Sequence, residues 1–402
     1  MTKKQFLRCI AFLMVVCLML LALCDLFEQE NHNNHDQRYY LYRNLEDNTV
    51  DAIYVGTSGV DRYWIAAKAY EEYGMTVYPV SFDACPVWLI PHIMEDALRY
   101  QDPQLILLDI RAFTQDCYAS VMDTRGRRVI DSMEFFSPVR WKAASRTVEL
   151  IHEVDPSMSR WDISFHIPFI KHHSKWDKDY WFQLNMGDRA HKFLGFYMND
   201  WLTIHTEEQK PEMYYRAVTC PLDPIAEDAL YETLDFIREN DLNVLFIDSP
   251  KFFEETEMAR TNEILNILEE EGFECLNFYT DKYDGSFTID LDPKTDFYNL
   301  NHVNYYGAEK YTEVLAAYLD EHYDLPDRRN DEAVKKDWDG VYDELVAKIR
   351  EYEALLADGT PEELAAALDQ AAADDPVVAE ELEAAEERIE EQEEAAEGAA
   401  AE

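Results

Sequence analysis

The chain has 402 residues, in which 36 Lys and Arg stand against 82 Asp and Glu, for a formal net charge of −46. Nucleic acid is excluded as a partner on this ground, because phosphate neutralisation needs clustered Lys and Arg. Much of the acidic excess lies after Glu353, where Ala, Glu and Asp dominate and Arg388 is the one cation, so the total says little about the preceding residues.

At the start, Lys3, Lys4 and Arg8 precede an unbroken apolar run from Cys9 to Cys24. Helical rise of about 1.5 Å per residue makes that run short for a bilayer core of about 30 Å, but Phe6 and Leu7 extend it. Asp25, Glu28 and Glu30 follow, so the basic end is expected in the cytoplasm and the main body outside. A cleaved signal peptide has a similar run length. No small-x-small pair stands at its exit, however, and Leu21-Ala22-Leu23-Cys24 lacks the small residue of a lipoprotein signal. The expectation is an uncleaved single-pass anchor over 1–25 in a cell membrane, with the bilayer as its first partner.

Residues 26–48 are polar and aperiodic and read as a linker, with His32 and His35 as solvated side chains rather than metal ligands. From 49 to 325 the composition is that of a folded domain large enough to bury a real core. Apolar runs at 52–55, 76–80, 105–110, 244–247 and 275–278 are expected strands, and 62–73, 93–100, 225–240 and 257–271 are expected helices. That alternation predicts an α/β fold, a mainly parallel sheet covered on both faces, with ligands at the carboxyl ends of the strands. Ser58, the 81–88 loop, Arg111 and His302 fall at that edge.

An aromatic-rich insertion at about 114–221 carries Trp141, Trp161, Trp176, Trp181 and Trp201. These rings either roof the active edge and stack on sugars or pack the insertion's own small core. The pair His172-His173 lacks a third ligand at helical spacing and reads as structural. After 325, residues 327–352 are expected to form one charged helix. The tail, the acidic end of 326–402, is expected to be helical or disordered, with binding of cations or a basic partner as its alternative role. The seven cysteines suggest neither a zinc site nor a definite pairing, and no phosphate loop, dinucleotide fingerprint or His-Glu-x-x-His pattern occurs. No metal and no cofactor is expected.

The stretch 50–60 reads Val-Asp-Ala-Ile-Tyr-Val-Gly-Thr-Ser-Gly-Val: a strand, a tight turn of small residues, then a helix. Ser58 in that turn is either the cap of the helix or an exposed nucleophile. Far along the chain, Asp296-Phe297-Tyr298-Asn299-Leu300-Asn301-His302-Val303-Asn304 leads into an amphipathic helix reaching about Tyr323, and His302 there is the candidate base.

Gly56-Thr57-Ser58 at the first strand, together with His302-Val303-Asn304-x-x-Gly307 before the last helix, resembles the first and last blocks of the SGNH/GDSL hydrolase superfamily. It is most similar to the membrane-anchored branch of DltD-like and alginate O-acetylation-like proteins. The resemblance implies a three-layer α/β/α domain and acyl transfer through a serine ester. Ser58 is then the nucleophile and an oxyanion donor through its backbone N–H, and Asn304 a substrate-side residue. It further implies an O-acylated, chiefly O-acetylated, envelope or secreted polysaccharide as substrate, and a polytopic membrane-bound O-acyltransferase as partner.

Two positions depart from that pattern. The family's aspartate three residues before its histidine is Asn299 here, with Asp296 the nearest carboxylate to replace it. The family's oxyanion asparagine block after the central strand is replaced by Asp109-Ile110-Arg111. Arg111 either stabilises developing charge or pairs with a carboxylate, and Asp83 or Ala84 can offer a backbone N–H instead. These departures motivate a rival expectation: a weak or inactive SGNH-like protein that binds carbohydrate or assists assembly.

Overall fold

A computed structural model describes residues 2–28, 42–82, 84–172, 193–197, 218–252, 254–280 and 287–358. His32, His35, Asp83, His173, Trp176, Trp181, Trp201 and the acidic tail from 359 lie outside them. Helix α1, Lys3–Glu28, includes the stretch Lys3–Leu23, long and apolar enough to cross a bilayer; a signal sequence meets the same criterion.

The fold is α/β. Strands β1 (Ala52–Gly56), β2 (Val77–Ser81), β3 (Leu105–Asp109), β4 (Val244–Asp248) and β5 (Cys275–Asn277) form a five-stranded parallel sheet in the order β2-β1-β3-β4-β5. The first three are buried along their whole length, as continuous apolar runs in a parallel sheet must be. Each strand lies within a residue or two of its expected position.

Helices differ more. The helix expected at 62–73 begins four residues late, as α3 (Ala66–Tyr73), and a short helix, α2 (Ser58–Asp61), precedes it. Between them Tyr63, Trp64 and Ile65 are all fully buried, a run of three consecutive large side chains in the core that does not fit the one-faced periodicity of an amphipathic helix. Helix α4 (Ile90–Ala97) follows β2. The insertion contributes α5 (Ala119–Ser132), α6 (Pro138–Val154) and the short α7 (Pro168–His172). Helix α8 (Pro224–Glu239) precedes β4 and α9 (Glu255–Glu270) follows it. Strands β6 (Phe297–Asn299) and β7 (His302–Val303) pair antiparallel and lead into α10 (Tyr305–His322).

Two segments read as peripheral belong to the folded body. In the expected linker, Tyr42 and Leu45 are buried, and the Tyr42 hydroxyl donates to Asp96 at 2.6 Å. Residues 327–352, expected as one helix, contain α11 (Glu332–Trp338) and the start of α12 (Val341–Asp358), broken at Gly340, whose φ of 76° suits glycine. Val334, Trp338, Leu345 and Ile349 join the main core, and Arg328 clamps the Asp51 carboxylate from outside. Charge on the exposed faces hid this apolar stripe.

Candidate active site

The turn after β1 divides the labour of two adjacent hydroxyls. Thr57, not Ser58, is the N-cap of α2: its Oγ1 accepts from the Gly59 N–H at 3.3 Å and donates to Asp109 Oδ2 at 2.9 Å. The Ser58 side chain is thereby left for other use. Its Oγ stands 2.7 Å from His302 Nε2, across 244 positions of sequence. Gly56 and Gly59 are small for a concrete reason. A Cβ on Gly56 would lie 2.5 Å from Asp109 Cβ, and one on Gly59 would lie 2.7 Å from Arg111 Nη1.

The β6–β7 pair sets the histidine. Asn299 and His302 are register partners, which brings Asn299 Oδ1 to 3.1 Å from His302 Nδ1. The Asn301 backbone N–H donates to the same Oδ1 at 2.8 Å, fixing which end of the amide faces the ring. An acceptor at Nδ1 selects the tautomer protonated there, so Nε2 carries the lone pair that accepts the Ser58 proton. Tyr298 adds a second oxygen 3.0 Å from Nδ1 and lies parallel to the imidazole, ring centroids 5.4 Å apart. Arg62 donates to that phenol and sits over the Tyr197 ring.

No carboxylate faces His302 among the described residues with which it bonds. Burial, and then the charges of Arg62, Arg111 and Lys251, hold its imidazole well below the ordinary histidine value. At neutral pH it is an uncharged, weak base. Lys251, beyond the end of β4, is paired with Glu257 and is itself lowered, chiefly by burial.

Asp296 is placed elsewhere. Its buried carboxylate accepts from Lys310 Nζ at 2.7 Å and from the Asp292 N–H at 2.6 Å, so Asn299 rather than Asp296 orients the ring. Asn304 caps α10 instead of meeting a substrate: Oδ1 accepts from the Gly307 N–H at 3.1 Å and Nδ2 donates to the Thr295 carbonyl at 2.7 Å. Arg111 is buried beneath the serine, with its Nη atoms donating to the carbonyls of Asn301, Ser249 and Pro250 and to the Tyr63 hydroxyl, all at 3.0 to 3.1 Å. It is a strut tying three strand ends together, with one edge on the cleft, and its charge is spread over fixed acceptors.

An open cleft of about 280 Å³ lies over Ser58 and His302, lined also by Thr57, Ala84, Arg111 and Lys251. Ala84, on the cleft wall, holds a left-handed φ of 48°, a costly conformation for a residue with a Cβ. Asp83 beside it lies outside the described residues. Sequence reasoning passed over Tyr298, Arg62 and Lys251. Tyr298 stood inside the His302 block, Arg62 four residues after Ser58, and Lys251 just past a strand end, where the rule that ligands gather at carboxyl edges applies. The arrangement is equipped for proton transfer from a serine to a neutral histidine. No family model matches this chain, and no curated protein matches it in sequence.

Proposed function

We propose that the protein is an extracytoplasmic serine-dependent esterase or acyltransferase acting on O-acyl, chiefly O-acetyl, groups of an envelope or secreted polysaccharide. The observation that carries the reading is the 2.7 Å Ser58–His302 contact in an open cleft at the carboxyl ends of parallel strands. In this reading the sheet and helices are the three-layer α/β/α arrangement of SGNH-like hydrolases, and α1 is a single-pass anchor with its basic end in the cytoplasm.

Ser58 Oγ attacks the ester carbonyl as His302 Nε2 takes its proton. The carbonyl oxygen becomes an alkoxide, received by the backbone N–H groups of Ser58 and Ala84. Collapse breaks the ester C–O bond, and the imidazolium returns its proton to the departing sugar oxygen. Water or a second sugar hydroxyl then enters by the reverse sequence, giving hydrolysis or transfer. A polytopic membrane-bound O-acyltransferase is the partner this reading calls for, since acyl groups must reach the outer side of the membrane.

Asn299 favours a second reading, a glycan-binding or assembly protein on the same frame, because an amide lends the imidazolium no charge. One experiment separates the two. Full-length wild type and Ser58→Ala are incubated with acetylated xylan oligosaccharides, and free acetate and acetyl-transfer products are measured. The enzyme reading expects product from wild type alone; equal glycan retention by both proteins with no product from either would favour the second.

A further inference from the structure

The insertion holds a second concave site, which shares no lining residue with the Ser58 cleft. It is a pocket of about 330 Å³ between α6 and the 160–166 segment, lined by Trp141, Ser145, Arg160, Trp161, Asp162 and His166 among others. Its volume is in the range of small-ligand sites, about 300–1,000 Å³.

Neither tryptophan belongs to the insertion's core: Trp161 is 86% exposed and Trp141 42%. A large ring left in water at a pocket's rim is the kind of surface that marks a binding site. Trp141 is held still. The Trp141 indole N–H donates to the Phe135 carbonyl at 3.1 Å, and its ring stacks on His166 with centroids 4.7 Å apart. The 160–166 segment is pinned by Asp162, which accepts from Ser164 N–H and hydroxyl and from Arg127 Nη2 at 2.5 to 3.0 Å. One preorganised ring and a fixed loop lower the ordering cost of binding.

The polar groups at the pocket are few and partly unused. Arg160 is exposed and makes no ion pair among the described residues. The Ser145 hydroxyl donates to the Trp141 carbonyl at 2.9 Å, which leaves its lone pairs to accept. Aromatic faces beside scattered donors and acceptors fit a sugar ring, whose C–H face is apolar and whose rim carries hydroxyls.

We propose that this pocket is a glycan-binding site, distinct from the Ser58 cleft, that stacks a neutral or N-acetylated sugar ring against Trp161 and Trp141 and bonds its hydroxyls through Arg160 and Ser145. The choice of a glycan as ligand rests on the proposed function, but the binding needs no turnover at Ser58. The competing occupant is a bilayer, because α7, which follows this segment, lies against α1. A concave pocket with a lone cation and a hydroxyl free to accept suits a sugar better than a lipid face.

The test uses full-length protein in detergent and four hexasaccharides: cellohexaose, mannohexaose, xylohexaose and chitohexaose. Binding is read by calorimetry and tryptophan fluorescence, with p-nitrophenyl acetate turnover measured alongside. At least one hexasaccharide binds wild type saturably, Trp161→Ala weakens it by roughly tenfold or more, Arg160→Ala weakens it less, and turnover is the same in all three proteins. Absence of binding at millimolar sugar, or undiminished binding by Trp161→Ala, overturns the proposal. So does quenching by brominated lipid in nanodiscs that disappears in Trp161→Phe, which reassigns the face to the membrane. Loss of the catalytic reading is seen separately, as absent turnover in wild type with binding intact.

Discussion

Asn299→Asp is the change that most directly probes the electrostatics around His302. The wild-type amide oxygen lies 3.1 Å from Nδ1 and is already held by the Asn301 N–H at 2.8 Å, so a carboxylate of the same shape keeps both contacts. An opposite charge at this range raises a histidine pKa by about 1–3 units, and each unit is worth about 1.4 kcal/mol. The imidazolium forms only as Ser58 attacks, so that stabilisation enters the transition state and raises the rate by roughly 10- to 1,000-fold at a pH where the base is free. The reverse change in serine-protease triads costs about 10⁴ in turnover. The sign of the pH effect follows from the direction of the wild-type shift. His302 sits well below its ordinary value and acts as a base when neutral, so the wild-type rate persists on the acid side of the usual histidine range. In Asn299→Asp the acid limb of kcat/KM moves to higher pH by about 1–3 units. The assay is kcat/KM for p-nitrophenyl acetate from pH 4 to pH 9. A folded variant with an unmoved acid limb and no gain in rate would refute the assignment of Asn299 as the residue orienting His302.

Three further outcomes are expected. Gly56→Ala drives a Cβ to 2.5 Å from Asp109 Cβ and 2.8 Å from Val60 Cγ2, with a loss of about 1–3 kcal/mol; an unchanged urea midpoint would show that this approach is relieved at no cost. Asp248 has no hydrogen-bond partner for its buried carboxyl among the described residues, and burial pushes it up to about 8, Asp109 adding to the rise and Arg111 opposing it. The folded state therefore holds a proton that the unfolded chain releases, and wild-type stability falls as pH rises from the ordinary carboxyl range to about 8. Asp248→Asn should gain in urea midpoint over wild type more at pH 9 than at pH 5, and an equal difference at both would refute the shift. Deleting Met1–Asp25 leaves ester turnover intact but abolishes polymer acylation in cells; unchanged acylation would count against tethering.

The sheet was legible because its strands are short, mostly apolar runs, and in β1, β2 and β3 burial along the whole length leaves little ambiguity. Helix boundaries were less so. At 62–65 tertiary burial of Tyr63, Trp64 and Ile65 overrides helical periodicity, and at Gly340 one glycine divides what charge made look continuous. At the site, Ser58 and His302 stand out as residue types at a strand end and before a helix, but sequence cannot say which neighbour reaches the ring. Asp296 has the better charge and Asn299 the better place, because β6 and β7 pair in a register that faces Asn299 with His302. Asn304 looked available for substrate only because its capping bond is invisible in sequence. Arg62 and Lys251 were hidden for a similar reason: their influence on the imidazole comes through space, from α2 and the end of β4.

The central claim is that Ser58 is activated by His302, and labelling by a fluorophosphonate probe tests it without knowledge of the substrate. Phosphonylation requires an activated serine and an oxyanion site. Full-length wild type, Ser58→Ala and His302→Ala are treated with the probe, and the labelled peptide is identified by mass spectrometry. The account predicts a single adduct on Ser58, absent from Ser58→Ala and strongly reduced in His302→Ala. A folded wild type that takes no label, or takes it on another serine, would contradict it.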